Sequence, residues 1–375
     1  MDKKIIPRRE ILVATAGVCV LGTLGFVGYT TRSKSPGYLI GANQAEFICI
    51  NLDTKEVRPV KNVNLAHSFV LWPHKNGCVL APEKSGASMT LTNFASGTIE
   101  QVIHAPTPRL FYGHVALTPD RNRFYSSQVD SNTGEGFLVV YDARNFSILK
   151  EHQICVGGIH DIAFFPGRDD LIAFTSSGVR HDKDGPGSIG YRKDTRLEPS
   201  SVKVFDITQG KVVSSCALDD DSLIFGHLKT LSDGTVVAIA TLFDGYPGAQ
   251  KTKSGAAYSV KGDVLRKWII PDEIRTQMKH ELLSVNVDKQ ESFCLATNPQ
   301  GSKTLLFEIA TGNLIKVFST DSQGSIYNPI TKKWYFISQH TAPVESPEVV
   351  DLASLVHLSS AHFVWAPPDF LAGTI

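Results

Sequence analysis

Charge of one sign is what this chain lacks first: 37 Lys and Arg stand against 37 Asp and Glu in 375 residues. A balanced surface gathers neither the phosphates of a nucleic acid nor a cloud of cations over long range, so nucleic acid is excluded as a partner and specificity has to be local. Cysteine is sparse as well. Cys19, Cys49, Cys78, Cys155, Cys216 and Cys294 are scattered, without a C-x-x-C pair or a spacing that suits zinc, and are expected as small buried hydrophobes. No Gly-x-Ser-x-Gly elbow, phosphate loop, His-Glu-x-x-His helix or dinucleotide fingerprint occurs, and no catalytic nucleophile is evident. Long helical patterns are missing too, which turns attention to strands.

What is present begins at the N-terminus. Lys3, Lys4, Arg8 and Arg9 precede an uncharged run from Ile11 to Tyr29, and Arg32 and Lys34 follow it. A basic start, an apolar middle and a polar exit make a signal or anchor of residues 1–35. Arg8-Arg9 followed by Glu10, Ile11 and Leu12 resembles the twin-arginine motif, with Pro7 and Ile11 where that motif has other residues. The run is rich in Gly and Ala, as suits a mildly hydrophobic export signal. It is also long enough to span, so cleavage and retention as an anchor through residues 11–29 both stay open. The expected partner is the twin-arginine export machinery, and the expected location is the periplasm or the outer face of the inner membrane.

From residue 37 two hairpin types alternate. The first opens on a small residue or His and recurs at Ala66 to Ala81, Gly113 to Ser127, Ile159 to Thr175, Gly226 to Thr241, Leu282 to Thr297 and Gly324 to Ser338. The second recurs at Phe47 to Val60, Met89 to Ile103, Phe137 to Glu151, Val202 to Cys216, Ala257 to Ile269 and Thr304 to Phe318, with a degraded copy near Val349 to Leu358. One of each makes a four-stranded antiparallel blade. The expected fold is all-β, a seven-bladed β-propeller over residues 36–375. Six or eight blades are the alternatives if the degraded copy is miscounted. Tyr38 to Ala42 and His362 to Ala366 read as lone strands whose pairing closes the ring and removes the open edge.

Two features mark one face. His67, His114, His160 and His227 each open a first-type hairpin, at intervals of 47, 46 and 67 residues, and so belong at the innermost strands of successive blades around a channel mouth. Ser284 and Ser325 lie near the equivalent places in later blades. A long polar insertion from Ser176 to Ser200 interrupts the fourth blade and is placed to cap that mouth. The polar constellation there is Arg109, Tyr112, His114, His160, Asp161, Arg180, His181, Asp184, Arg192, Glu198 and His227. On one reading the histidines cap turns and bond to neighbouring blades, and the charged residues fasten the loop. On the other they bind an anion, a metal or a cofactor, with His67, His114, His160 and His227 as the candidate metal ligands and no cofactor identified.

Arg109-Leu110-Phe111-Tyr112-Gly113-His114 followed by Thr118-Pro119-Asp120 resembles the bacterial family known as domain of unknown function 1513. Gly158-Ile159-His160-Asp161, Gly178 to His181, Glu198-Pro199-Ser200, Phe225-Gly226-His227-Leu228 and Thr297 to Gly301 agree with it in order. The resemblance implies an exported propeller of unestablished activity, often linked to iron acquisition. Leu110, Gly226, Gln300 and the pair Glu83-Lys84 stand where the family shows histidine or arginine, so less inward positive charge is expected.

Three functions follow as expectations. The first is a non-catalytic binding module with its site at the histidine-lined mouth, serving a protein or small-ligand partner of iron or metal uptake. The second is an enzyme of lactonase or quinoprotein type, for which Asp161, Glu198 and Asp244 are the available carboxylates. The third is a scaffold that presents blade edges to a partner protein.

Overall fold

Strands of this length cannot bury a core alone, so they pair within sheets and stack sheet on sheet. A computed structural model describes residues 35–43, 46–61, 64–183, 189–242, 254–341, 343–356 and 362–371, and the side chains of residues 180–195 are outside that description. The signal or anchor expected over residues 1–35 lies outside the described residues up to 34.

Seven sheets form seven blades. Blade two is Val70–Leu71, Cys78–Pro82, Ser88–Asn93 and Thr98–His104, and blade three is Arg109–Leu117, Arg123–Asp130, Glu135–Asp142 and Ile148–Val156. Blade four is Ile159–Phe164, Leu171–Ser176, Ser201–Asp206 and Lys211–Ala217, and blade five is Leu223–Thr230, Val236–Leu242, Ala256–Lys261 and Val264–Lys267. Blade six is Ser284–Val287, Phe293–Asn298, Lys303–Glu308 and Asn313–Phe318. The first strand of each blade is innermost, and these strands touch one another in turn until the ring is complete.

Blade one closes that ring. Its inner strand, Val364–Ala366, pairs with Tyr38–Ala42 in the register Tyr38↔Ala366, Leu39↔Trp365 and Ile40↔Val364, and Glu46–Asn51 and Val57–Lys61 complete it. The closure expected from the two lone terminal strands is therefore present. Trp365 Nε1 donates to the Pro36 carbonyl at 2.8 Å, and Phe370 is buried with Phe47, Phe69 and Phe94 between blades one and two.

Of the degraded hairpin copy expected near Val349 to Leu358, only Val349–Asp351 is a strand among the described residues, and it pairs back with Glu345–Ser346. In blade seven Ser325–Asn328 and Lys333–Phe336 pair normally, whereas Val349–Asp351 runs parallel to the latter, with Trp334 opposite Val349. The chain makes an excursion before it returns. The Asp321 carboxylate accepts from the backbone N–H groups of Gln339 and His340, each at 2.7 Å, and Asp351 accepts from Ser338 and Val344.

The hydrophobic core is divided among the seams between blades. Phe111, Phe124 and Met89 fill the seam between blades two and three, Phe225, Val236 and Val202 that between four and five, and Trp268, Phe307 and Ile239 that between five and six. Burial therefore locks each blade to its neighbours and leaves the axis free for polar groups. Cys49, Cys78, Cys155, Cys216 and Cys294 are free thiols buried in these seams, as small hydrophobes would be.

Candidate functional site

The start of each innermost strand and the connection between second and third strands open on the same face, because strand direction alternates within a blade. His67, His114, His160 and His227 gather there. One nitrogen from each lies within 4.8 Å of the corresponding nitrogens of the others.

A β-bulge aims three of these rings. In blade three the register shifts between Ser126 and Gln128, opposite Tyr112, Gly113 and His114. In blade four it shifts between Ile159 and Ile162, and in blade five between Phe225 and Leu228, around His160 and His227 respectively. Blades four and five each carry one extra residue there, which breaks inside-outside alternation, whereas blade three carries two; in all three the irregularity falls at the histidine. The inner strands of blades six and seven, which carry Ser284 and Ser325, pair in regular register. Gly113 serves the same end: at φ +99 it presents a bare Cα, and a Cβ there would stand 2.6 Å from the His67 ring.

His362 completes the set. It precedes the closing strand, and its ring centroid lies 4.7, 4.8 and 4.3 Å from those of His67, His114 and His227. The repeat pattern did not enrol it, although a lone strand opening on His362 is the same signal that marked the other four.

Asp161 is buried at the next position in the blade-four bulge and ties three elements together. One oxygen accepts from His114 Nδ1 and from the Ile162 N–H, both at 2.8 Å, and the other from the Leu228 N–H at 2.9 Å. His227 Nδ1 is 3.6 Å from that second oxygen, an electrostatic contact beyond hydrogen-bond length. Burial pushes the Asp161 carboxyl up, but the pull of His114, at hydrogen-bond distance, and of His227 beside it outweighs burial and holds it well below the ordinary range.

Nδ1–H of His114 points at the Asp161 carboxylate, and its Nε2 is buried with no hydrogen-bond partner. Nε2 of His67 is buried and unpartnered in the same way. Nε2 of His227 lies 3.3 Å from Nε2 of His160. Burial lowers the His227 imidazole to about 4 against the opposing pull of Asp161, and burial followed by the Lys84 charge lowers His67 and His160 well below their usual value. Neutral imidazoles with inward lone pairs are metal ligands in waiting, and a carboxylate on the far nitrogen is the usual support for one.

Lys84 reaches the cluster by an inward fold. Lys84–Gly86 leaves blade two and adds a fifth strand to the inner edge of blade three, with Lys84 opposite Tyr112. Ser85 takes φ 65 there, and the Glu83 carboxylate staples the turn by accepting from the Ser88 N–H and hydroxyl at 2.9 and 2.8 Å. Lys84 is exposed to solvent, with neighbouring protein crowded about it. That crowding lowers its ammonium from the ordinary range, and Glu281 opposes the shift. Among the described residues, basic charge beside the imidazoles comes from Lys84, and Lys229 adds its charge at His362.

Other members of the polar constellation are engaged elsewhere. Arg109 pairs with Glu151 on the outermost strand of its blade at 2.5 Å and covers the Phe137 ring at 4.3 Å, which directs it away from the axis. Glu198 pairs with Lys203 at 2.7 Å and accepts from the Ser176 hydroxyl. Tyr112 is buried with its ring centroid 5.9 Å from that of His160. The Ser176 to Ser200 insertion forms a hairpin of Val179–Lys183 with Ile189–Arg196 on the same face. The side chains of Arg180, His181, Asp184 and Arg192, together with Asp244, lie outside the described residues.

Asp161→Asn would put an amide N–H₂ where a buried donor needs an acceptor. The expected cost is about 1–3 kcal/mol of stability, the penalty of a buried donor left without its acceptor. Urea unfolding of metal-free protein measures it, and a change under about 1 kcal/mol would mean that Asp161 does not hold the mouth together.

A closed β-propeller with an imidazole-walled channel mouth is the class that fold and site define. The chain belongs to the family described as protein of unknown function (DUF1513), which matches residues 62–327. No curated protein matches it in sequence. Among solved structures it is similar to hydrazine synthase of Kuenenia stuttgartiensis, at 12% identity over 81% of this chain and 90% of that one, with a TM-score of 0.60. It is also similar to the Cps50 (Swd1) β-propeller domain of Myceliophteria thermophila, at 12% identity over 83% and 96% of the two chains, with a TM-score of 0.54. At such identities the likeness shows the fold alone.

Proposed function

We propose that this protein is an exported, non-catalytic propeller module that holds a divalent transition-metal ion in an imidazole cage at its channel mouth. The observation that carries the reading is the convergence of His67, His114, His160 and His227 within 4.8 Å. A tetrahedron with metal–nitrogen bonds of about 2.0–2.1 Å has edges of about 3.3–3.4 Å. The separation of Nε2 of His160 from Nε2 of His227 is 3.3 Å, so that pair already stands at ligand spacing. Neutral nitrogen donors suit zinc, copper, nickel or iron and fit poorly with magnesium or calcium, which take oxygen. Asp161 fixes His114 from the far side, as a carboxylate does behind a metal-bound histidine.

Export through the twin-arginine route rests on Arg8-Arg9 and the uncharged run behind them. It suits a domain whose site exists only after all seven blades have closed. The place of action is then the periplasm or the outer membrane-facing side of the inner membrane, with residues 11–29 as signal or anchor. A partner in iron or metal uptake rests on the family resemblance.

Titration of chelator-treated full chain with Co(II), followed by visible absorption, tests the metal reading. The expected result is one equivalent bound, with the intense d–d bands of a low-coordinate nitrogen site. Absence of any cobalt spectrum, together with metal-free protein from the exported fraction, would overturn it.

A further inference from the structure

Beside the imidazoles lies a cavity of about 200 Å³ whose wall includes His160 and His227. Lys84, His280, Glu281, Gln300 and Thr241 supply the rest of its polar lining, and Phe225, Leu242 and Leu282 its apolar part. We propose that this cavity receives a small hydroxycarboxylate anion, which joins the metal as a fifth ligand and is gripped by Lys84. The proposal rests on the metal reading above and assigns the ligand that the metal site would share.

Charge is the first argument. Neutral imidazoles leave a bound divalent ion with both of its positive charges, to which Lys84 adds one. Among the described residues Asp161 and Glu281 offset two of these three, while Lys229 is a further cation whose charge reaches His362, so the balance beside the imidazoles stays positive. Uncompensated charge in such surroundings is costly, and an anion is the ordinary remedy. Coordination is the second. The four imidazoles by themselves fill a tetrahedron, so the anion enters by expanding it to five-coordinate on the side of His160 and His227, where the cavity opens.

Size and lining select the ligand class. Pockets for drug-sized molecules run to about 300–1,000 Å³, so this one suits a molecule of a few heavy atoms. Its wall pairs a cation, Lys84, with a carboxylate, Glu281. A ligand that is purely anionic would satisfy the first and repel the second. A hydroxycarboxylate satisfies both: its carboxylate lies between metal and Lys84, and its hydroxyl either joins the metal or donates to Glu281.

Glycolate is the probe. Added to Co(II)-loaded full chain, it is expected to shift the visible bands saturably, while chelator-treated protein binds it at least tenfold more weakly by calorimetry. Lys84→Met should keep the glycolate-free cobalt spectrum and weaken glycolate at least tenfold, whereas Glu281→Gln should tighten it. Opposite signs in two variants of one wall separate an electrostatic grip from a general loosening of the mouth. Cobalt bands that ignore glycolate, Lys84→Met protein that binds it like the parent, or equal binding with and without metal would overturn the proposal and leave the metal reading intact. Failure to bind Co(II) at all would instead remove the metal reading and this inference with it.

Discussion

Replacing His114 and His227 together by alanine is expected to lower the affinity for Co(II) or Zn(II) by more than 100-fold. The estimate is a lower bound, because loss of a supporting carboxylate alone costs about 10–100-fold and here two donors themselves are removed. Both residues sit at bulges that turn them toward the axis, in blades three and five, and Asp161 faces the Nδ1 of each from blade four. Removing both therefore empties two walls of the cage and leaves Asp161 without its imidazole contacts. His74→Ala is the control: its Nε2 meets the Arg121 carbonyl at 2.7 Å, on an exposed loop. Far-ultraviolet circular dichroism of the double variant is expected to retain the β signature, since the seams between blades do not depend on either histidine. Competition against a chromophoric chelator gives the affinities. A folded double variant that binds Co(II) as tightly as the parent would place the metal elsewhere or nowhere.

The spacing of His67, His114, His160 and His227 was legible because each begins the same half of a repeated hairpin, and repetition in sequence becomes rotation about one axis in a propeller. His362 was hidden by the same logic. Ring closure places the inner strand of blade one at the C-terminus, so a residue far from the others in sequence stands next to His67 in space. The bulges were only partly legible, for a different reason. How far a strand slips is set by its partner's register; Gly113 and Gly226 are residues that a bulge admits, but His160-Asp161 gives no local sign of it. Lys84 was visible as a departure from paired arginines, but its inward position depends on Ser85 in the left-handed region and on the Glu83 staple, both features of tertiary structure. Arg109 was placed near the mouth by its motif. Glu151, which draws it outward, comes from the far edge of the blade.

Truncation after residue 361 should abolish folding, whereas His362→Ala alone should not. The truncation removes Val364–Ala366, the inner strand of blade one, and with it the buried side chains Phe363, Ala366 and Phe370. Loss of one buried phenylalanine costs about 3–5 kcal/mol, and two of them consume most of the about 5–15 kcal/mol that holds a domain together. Tyr38–Ala42 would in addition become an open edge, with its hydrogen-bonding groups presented to any other strand. Aggregated protein without a cooperative melt is the expected outcome, read by scattering and circular dichroism. His362→Ala keeps all of that packing and takes away a ring that packs against His67, His114 and His227 of the cage. Its metal-free melting temperature should stay close to that of the parent, while the increase on adding Co(II) shrinks, because a ligand stabilises only in proportion to how tightly it binds the folded state: about 2.7 kcal/mol at a hundredfold excess over Kd. If metal reaches His362, occupancy of the mouth and closure of the ring are one linked equilibrium, since the residue that touches the cage precedes the closing strand by a single position, Phe363. Metal should then slow proteolysis at the C-terminal end in the parent and leave it unchanged in His362→Ala. Equal protection by metal in both proteins would separate the two events and leave His362 as packing alone.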